Sequence, residues 1–408
     1  MPLPLLPLFL SSLSAVWKSA FIVLIGFSLE KFGNYDASLR RGISKIVVTA
    51  GMPSLLFCKV SLSIGNARAV GGFPEIAKHL WLPAYSLVVI LLGLLCKTLA
   101  FRLYLLLRPK AIAPNSVLAF SAIFSATVAF PNSGAMPFAL ISSLCATSSD
   151  LLTGTSPDEC AAAGIASVSL YIAALSPVMW ATQPRLFKQI ASADALSDIE
   201  LSPPSLSAPP PSPPPASLKS RLLSIPPPVS ATLLAIFLAS TGLARFYIVP
   251  GLPLYAAVFA PLDFFGDVSV PLALAGLGAA IASTSSKAKQ DPALLSPLST
   301  PSPPSVAPTP PIPPSLMLLI VSSRLLFVPA FSFPLTLLLH RAFFPHDKLL
   351  AAVLLIESTS PCAFQLMTMC QLFSPQTEGA LSKVYLFMYG AGGLTMLLWI
   401  TLALKLLS

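Results

Sequence analysis

Apolar segments, each about as long as a membrane-spanning helix, alternate with short polar segments along most of the chain. A transmembrane helix needs about 20 consecutive, mostly apolar residues. On that criterion the pattern predicts two blocks of five spans and hence an all-α polytopic membrane protein. The predicted spans are 9–29, 42–62, 80–104, 115–145 and 161–183 in the first block, and 228–248, 263–283, 315–339, 348–373 and 381–407 in the second.

Two stretches rich in proline and serine interrupt this pattern. Of the 43 prolines, 21 lie within 203–228 and 292–314. Such segments cannot bury enough apolar surface to fold and favour extended or disordered chain. The predicted organisation is a first five-helix repeat at 1–183, a proline-rich linker at 184–227, and a second five-helix repeat at 228–408 with a proline-rich loop at 284–313.

The composition strengthens the membrane assignment. Only 10% of the 408 residues are charged, 55% are hydrophobic, and the mean hydropathy is +0.82. A soluble domain has about 25% charged residues, so a water-soluble enzyme is excluded and the lipid bilayer must surround the spans. The net charge of +9 comes from Lys and Arg scattered between apolar segments. Without a basic patch interleaved with aromatic residues, no nucleic-acid partner is expected.

The loops differ in positive charge from one side of the membrane to the other. With ten spans, the loops on one side carry twelve Lys and Arg residues and the opposite side carries six. Basic loops tend to face the cytosol. We therefore expect both proline-rich stretches in the cytosol and both chain ends outside it or in a lumen.

The residues that usually form metal or catalytic sites are few. The six cysteines show no CxxC spacing and five lie in apolar stretches, so we expect small core residues rather than disulfides or metal ligands. There are three histidines, and no HExxH, Walker A or GxSxG motif. We expect no metal, no cofactor and no enzymatic activity.

Prolines recur inside corresponding spans of the two blocks. Five spans per block reverse the orientation of the second block, as in an inverted repeat. Spans two and seven contain Pro53 and Pro271, while span four contains Pro131 and Pro137 and span nine contains Pro361. Proline removes a helical hydrogen bond, so spans four and nine are predicted to break.

A break in span four would expose backbone N–H groups beside Asn132, Ser133 and Gly134. Free N–H groups and the positive end of a half-helix favour an anion. The alternative is a kinked packing helix whose hydroxyls bond its own backbone. The polar residues around Pro361, including Gln365, favour the binding site over that alternative.

Glu357 and Arg324 are ionisable residues within predicted spans nine and eight. Charged groups are costly in lipid and should face the protein interior. Two roles stay open: a structural ion pair between them, or a proton or substrate role for Glu357.

Several segments resemble the auxin efflux carrier family, and the nearest branch is the PIN-likes (PILS). The resemblance is carried by LSSLSAVWKSAFIVLIGFSL, ISKIVVTAGMPSLLFCKV, FPNSGAMPFALISSLC, GDVSVPLALAGLGAAIA and SPCAFQLMTMCQLF. It implies ten transmembrane helices as two inverted five-helix repeats, with broken helices four and nine crossing at prolines. It also implies a scaffold of helices one, two, six and seven beside a mobile transport domain. The crossing point would bind the carboxylate of indole-3-acetic acid, and the endoplasmic reticulum membrane is favoured over the plasma membrane.

The resemblance carries over to Asn132, Gly134, Pro137 and Pro361, which match the family pattern. Four positions depart from it, namely Pro131, Ala135, Cys362 and Gln365. We therefore expect a secondary carrier of small organic anions, with auxin-like carboxylates as the implied class, and a homodimer is compatible with it. The expected substrate-binding residues are Asn132, Ser133, Gly134, Pro137, Pro361 and Gln365. The alternative is a membrane receptor or scaffold that signals through its proline-rich loops.

Overall fold

A computed structural model describes residues 5–33, 35–78, 81–108, 112–113, 116–200, 225–287 and 311–407. These residues are almost entirely helical. The first half contains α1 (Leu5–Phe32), α2 (Ala37–Ile46), α3 (Met52–Lys78), α4 (Trp81–Leu107), α5 (Val117–Ala129), α6 (Ala135–Leu152) and α7 (Pro157–Glu200). The second half contains α8 (Pro227–Ser240), α9 (Arg245–Ile248), α10 (Ala260–Lys287), α11 (Pro314–Ser322), α12 (Val328–Phe343), α13 (Lys348–Thr359), α14 (Gln365–Phe373) and α15 (Glu378–Leu407).

Short turns of π-helix make longer continuous rods from some of these helices. The turn Val47–Gly51 joins α2 to α3, and Ser323–Phe327 joins α11 to α12. A third, Tyr255–Phe259, leads directly into α10. Pro53 and Pro271, predicted well inside spans two and seven, therefore lie in unbroken helix.

Within the described residues, six helical segments are long and apolar enough to cross a membrane. They are 37–65, 81–107, 157–192, 255–283, 314–343 and 375–407. Shorter apolar helices lie at 117–129, 136–147 and 227–240. The six long segments fall on predicted spans two, three, five, seven, eight and ten.

The helix at span five is longer than the predicted 161–183. It continues through Pro184 to Glu200, so the first part of the predicted linker 184–227 is helical. The buried side chains of Phe187 and Ile190 explain the extension, because they keep this part of the helix packed on the protein. Residues 201–224 and 288–310, which hold most of the proline-rich sequence, lie outside the described residues.

Glycines allow α1 and α10 to approach each other closely. A Cβ atom on Gly26 would lie 2.0 Å from the carbonyl oxygen of Ala275, and one on Gly278 would lie 1.9 Å from that of Val23. Neither distance leaves room for a side chain. The two helices are thus packed backbone to backbone, while α3 packs along both α8 and α10.

Contrary to the sequence expectation, Cys145 and Cys160 form a disulfide. Cys145 lies on α6 and Cys160 near the start of α7, and the two helices pack together after a short turn. This hairpin brings the two Cα atoms to 5.5 Å, within the usual range for a disulfide. Reading each cysteine only by its apolar neighbours missed the pairing. The other four are free and buried, as expected.

A buried polar network ties α1 and α2 to α14 and α15. Arg40 pairs with Glu30 and, at 3.3 Å, with Glu378. Gln371 donates to Glu378 at 2.9 Å and accepts from Ser44 at 2.6 Å. These contacts join regions more than 300 residues apart in sequence (Ser44 and Gln371 are separated by 327).

Candidate functional site

The chain leaves helical geometry between α5 and α6, at residues 130–134. Pro131 lies within this break, where its missing N–H interrupts the helix as expected. Pro137 does not contribute to the break. It is the third residue of α6, and in the first turn of a helix the N–H that proline lacks would have no partner.

A second break separates α13 from α14 at residues 360–364. The two breaks lie against each other as an antiparallel bridge between Pro131 and Cys362. Asn132 N–H donates to the Pro361 carbonyl at 2.7 Å, and Ala363 N–H donates to the Phe130 carbonyl at 2.9 Å. We call residues 130–134 and 360–364 the crossover. Its reciprocal bonds satisfy backbone groups that would otherwise be buried without a partner.

Arg324 holds the first half of both broken helices at the crossover. Its fully buried guanidinium donates to the carbonyls of Ser360 at 2.8 Å, Ser358 at 3.2 Å, Val128 at 3.3 Å and Glu357 at 3.4 Å. Val128 belongs to the last turn of α5, and Glu357 and Ser358 to that of α13. A cation at a helix C-terminus satisfies carbonyls that have no helical partner.

Arg324 does not form the side-chain ion pair with Glu357 that the sequence left open. The contact between these two residues goes from the guanidinium to the Glu357 backbone carbonyl. The Glu357 side chain is fully buried, and neither carboxyl oxygen has a hydrogen-bond partner. The hydroxyl of Ser133 lies beside it without forming a hydrogen bond of normal geometry.

A cavity of about 250 Å³ opens beside the crossover. Its walls come from α3, α7 and α10 and from the starts of α6 and α14. Most of the lining side chains are apolar, among them Met52, Leu56, Phe138, Ile172 and Phe364. The polar lining side chains are Ser133, Ser169, Ser176, Gln365, Lys59 and Asp267.

The N-terminal ends of two half-helices meet this cavity. Gly134 precedes α6 and Phe364 precedes α14; both line the cavity, and neither supplies a side-chain cap. The first N–H groups of a helix lack partners within the helix. At α14 the N–H groups of Leu366 and Met367 donate to the carbonyls of Ala363 and Phe364, at 3.2 and 3.0 Å. The positive ends of both helix dipoles meet the cavity and favour an anion there. The buried Oε1 of Gln365 also has no hydrogen-bond partner.

The structure brings three of the six predicted substrate-binding residues together, because Ser133, Gly134 and Gln365 line the cavity. The other three, Asn132, Pro137 and Pro361, are buried and do not belong to its lining. Asn132 Nδ2 donates to the Tyr389 hydroxyl at 3.0 Å, and that hydroxyl donates to the Cys362 carbonyl at 2.8 Å. In this conformation Asn132 therefore braces the crossover.

Sequence reasoning missed a charged cluster at the cavity. Lys59 on α3 pairs with Asp263 at 2.9 Å and with Asp267 at 3.1 Å, both on α10. Lys59 and Asp267 line the cavity, and Lys59 is the one basic residue of its described lining. The four-residue spacing of the two aspartates places them on one face of a helix. The spacing of the two aspartates is visible in the sequence, but it does not identify Lys59 as their partner.

Comparison with known proteins agrees with this architecture. A family model described as membrane transport protein matches residues 12–400. A search of curated proteins gave no match. The match covers nearly the whole chain, including both halves of the crossover and every lining residue of the cavity. With six long apolar helices among its described residues, the chain is an integral membrane protein, and it belongs to the membrane transport protein family, which contains the auxin efflux carriers and the PIN-likes.

Proposed function

We propose that this protein is a secondary carrier that moves small organic anions across a membrane by alternating access. Membership in the membrane transport protein family implies that the protein transports a substrate across a membrane. The observation that carries the rest is the cavity at the crossover, where the uncapped N-termini of α6 and α14 converge. Broken helices whose ends point at a central site are a recurrent substrate-binding arrangement in secondary transporters.

The chemistry of the cavity favours an amphipathic anion. Two helix N-termini, the Ser133 hydroxyl and the Gln365 amide offer hydrogen-bond donors to a carboxylate. The apolar walls suit an aromatic or aliphatic body. The volume of about 250 Å³ is slightly below the roughly 300–1,000 Å³ typical of small-molecule sites, so a small ligand is favoured. Auxin-like aromatic carboxylates fit this description, and they are the substrates that we propose.

We further propose that the helices form two inverted repeats of five spans. The matching breaks before α6 and α14, each preceded by a half-helix that Arg324 contacts, support this relation. Six of the ten spans would be the long apolar helices. The other four would be α1, α8 and the two broken helices, which are α5 with α6 and α13 with α14. The close packing of α1 on α10 and of α3 on α8 supports a scaffold of helices one, two, six and seven.

The orientation that we propose places the 184–227 linker in the cytosol and the turn between α6 and α7 on the opposite side. The Cys145–Cys160 disulfide supports this assignment, because disulfides persist in the lumen of the endoplasmic reticulum or outside the cell. The likeness to PIN-likes favours the endoplasmic reticulum. A protease added to sealed, cytosol-outward microsomes should cut the linker; cutting only after detergent would overturn this orientation.

Uptake into proteoliposomes tests the proposed activity. Indole-3-acetate and benzoate should enter saturably, above the rate in protein-free vesicles, while indole-3-acetamide should not. The reason is that helix N-termini and Lys59 favour a negative group. Gln365→Ala should raise the half-saturation concentration. Glu159→Gln, at an exposed acid in the first turn of α7, should match the wild type. Equal protein-dependent uptake of acid and amide, or none of any carboxylate, would overturn the proposal.

A further inference from the structure

Glu357 is a buried acid for which the structural framework supplies no hydrogen bond. It lies in the last turn of α13, directly before the crossover, and its side chain is fully enclosed. Both carboxyl oxygens lack a hydrogen-bond partner. A buried carboxylate without partners is costly, and an ionisable group of this kind within a membrane protein marks a functional site. The neutral, protonated acid is therefore the form that this environment favours.

The helices that pack against α13 carry other ionisable groups, but none of the groups described here bonds the Glu357 carboxyl group. Arg324 uses its donors on backbone carbonyls, and Tyr171 on α7 has a buried hydroxyl with no partner. Tyr85 on α4 bonds Thr336, and on α15 Tyr385 and Tyr389 bond the carbonyls of Ala363 and Cys362. Within the described residues of α6 and α12, no charged side chain interacts with Glu357. Arg324 is thus the countercharge that matters.

The protonation state of Glu357 sets the net charge of the Glu357 and Arg324 side chains next to the crossover. When Glu357 is ionised, its charge offsets that of Arg324. When it is protonated, the positive charge of Arg324 is unopposed and favours an anion in the adjacent cavity. Ser133 lies between the Glu357 carboxyl group and the cavity, because its hydroxyl is beside that carboxyl group and the residue also lines the cavity.

We propose that Glu357 is a proton-binding site coupled to anion binding at the crossover, so that each transported anion is accompanied by one proton. This inference rests on the proposed function. A proton from water in the cavity passes by way of the Ser133 hydroxyl, which gives up its own proton to the Glu357 carboxylate as it receives another. The proton leaves by the reverse path when the anion leaves. Because coupling is reciprocal, proton binding strengthens anion binding and anion binding strengthens proton binding by the same factor.

Binding and proton uptake by the purified full chain test the coupling. Radiolabelled indole-3-acetate is the probe, between pH 6 and 8.5, where it stays ionised. We expect the wild-type dissociation constant to rise about tenfold over this range, equivalent to about 1.4 kcal/mol. In weakly buffered solution near the upper end of the range, an indicator dye should report up to one proton taken up per anion bound.

Variants assign the proton to Glu357. Glu357→Gln should keep the low-pH affinity at every pH and take up no proton, because the amide mimics the neutral acid. Glu159→Gln, at an exposed acid in the first turn of α7, should keep the wild-type pH dependence. Should Glu357→Gln fail to fold, the wild-type proton measurement still decides whether coupling exists, and Glu357→Asp should preserve it.

The outcomes separate the two proposals. Wild-type binding that is independent of pH and takes up no proton would overturn the proton site and leave the carrier intact. Wild-type pH dependence retained in Glu357→Gln would overturn it as well. Failure of the wild type to bind any carboxylate at any pH would instead overturn the proposed function.

Discussion

Replacing Arg324 with methionine should destabilise the crossover strongly, because four backbone carbonyls lose their donor. Those carbonyls belong to both broken helices and lie 2.8–3.4 Å from the guanidinium. A hydrogen bond to a charged group contributes about 1.5–3 kcal/mol, but such contributions do not add. Removing one partner of a buried charged interaction costs about 3–5 kcal/mol. A chain of 408 residues shifts by about 1 °C per kcal/mol, because the unfolding entropy is about 2 cal/mol/K per residue. The melting temperature should therefore fall by roughly 3–6 °C.

Two further variants make this prediction specific. Arg324→Lys keeps the charge but not the planar fork that reaches both helices, so its melting temperature should lie between those of the wild type and Arg324→Met. Arg341→Met removes an exposed arginine at the end of α12 and should melt as the wild type does. Thermal unfolding of purified protein in detergent, followed by intrinsic fluorescence, measures all three. If Arg324→Met melts within about 1 °C of the wild type, which corresponds to less than 1 kcal/mol on the same scale, the four hydrogen bonds do not stabilise the crossover as we infer.

Two other predictions concern helix packing and the charged cluster. Gly278→Ala should lower stability by about 1–3 kcal/mol, since its Cβ would lie 1.9 Å from the Val23 carbonyl oxygen. Gly390→Ala, whose Cβ meets nothing within 4 Å, should be at least as stable as the wild type; equal melting of both variants would contradict this packing. Lys59→Gln should weaken indole-3-acetate binding, whereas Asp267→Asn should tighten it about two- to fivefold, because it frees Lys59 from one exposed partner. Equilibrium binding would reject this view if the two changes acted in the same direction.

Local sequence predicted those features that local chemistry determines. The six long apolar helices follow from hydropathy, and the breaks at Pro131 and Pro361 follow from the missing N–H of proline. Pro137 shows the limit of that reasoning. The effect of a proline depends on whether it lies in the first turn of a helix or in its interior, and the sequence did not fix where α6 begins.

Contacts between distant segments could not be predicted in the same way. Lys59 and Asp263 are 204 residues apart, and the sequence near either residue does not identify the other as its ion-pair partner. Arg324 and Glu357 were expected to face the interior, which they do, yet the guanidinium bonds backbone carbonyls whose positions depend on the fold. The direction of the Asn132 side chain, toward Tyr389, likewise depends on how α15 packs against the crossover.

We propose above all that an organic anion binds in the cavity beside the crossover, with its negative group at the N-termini of α6 and α14. A cryo-electron microscopy structure of the full chain in lipid nanodiscs with saturating indole-3-acetate tests it most directly. We expect ligand density in the cavity, with the carboxylate beside Ser133, Gly134 and Gln365 and the indole ring against the apolar walls. Ligand density elsewhere, or a carboxylate directed away from both helix ends, would contradict it.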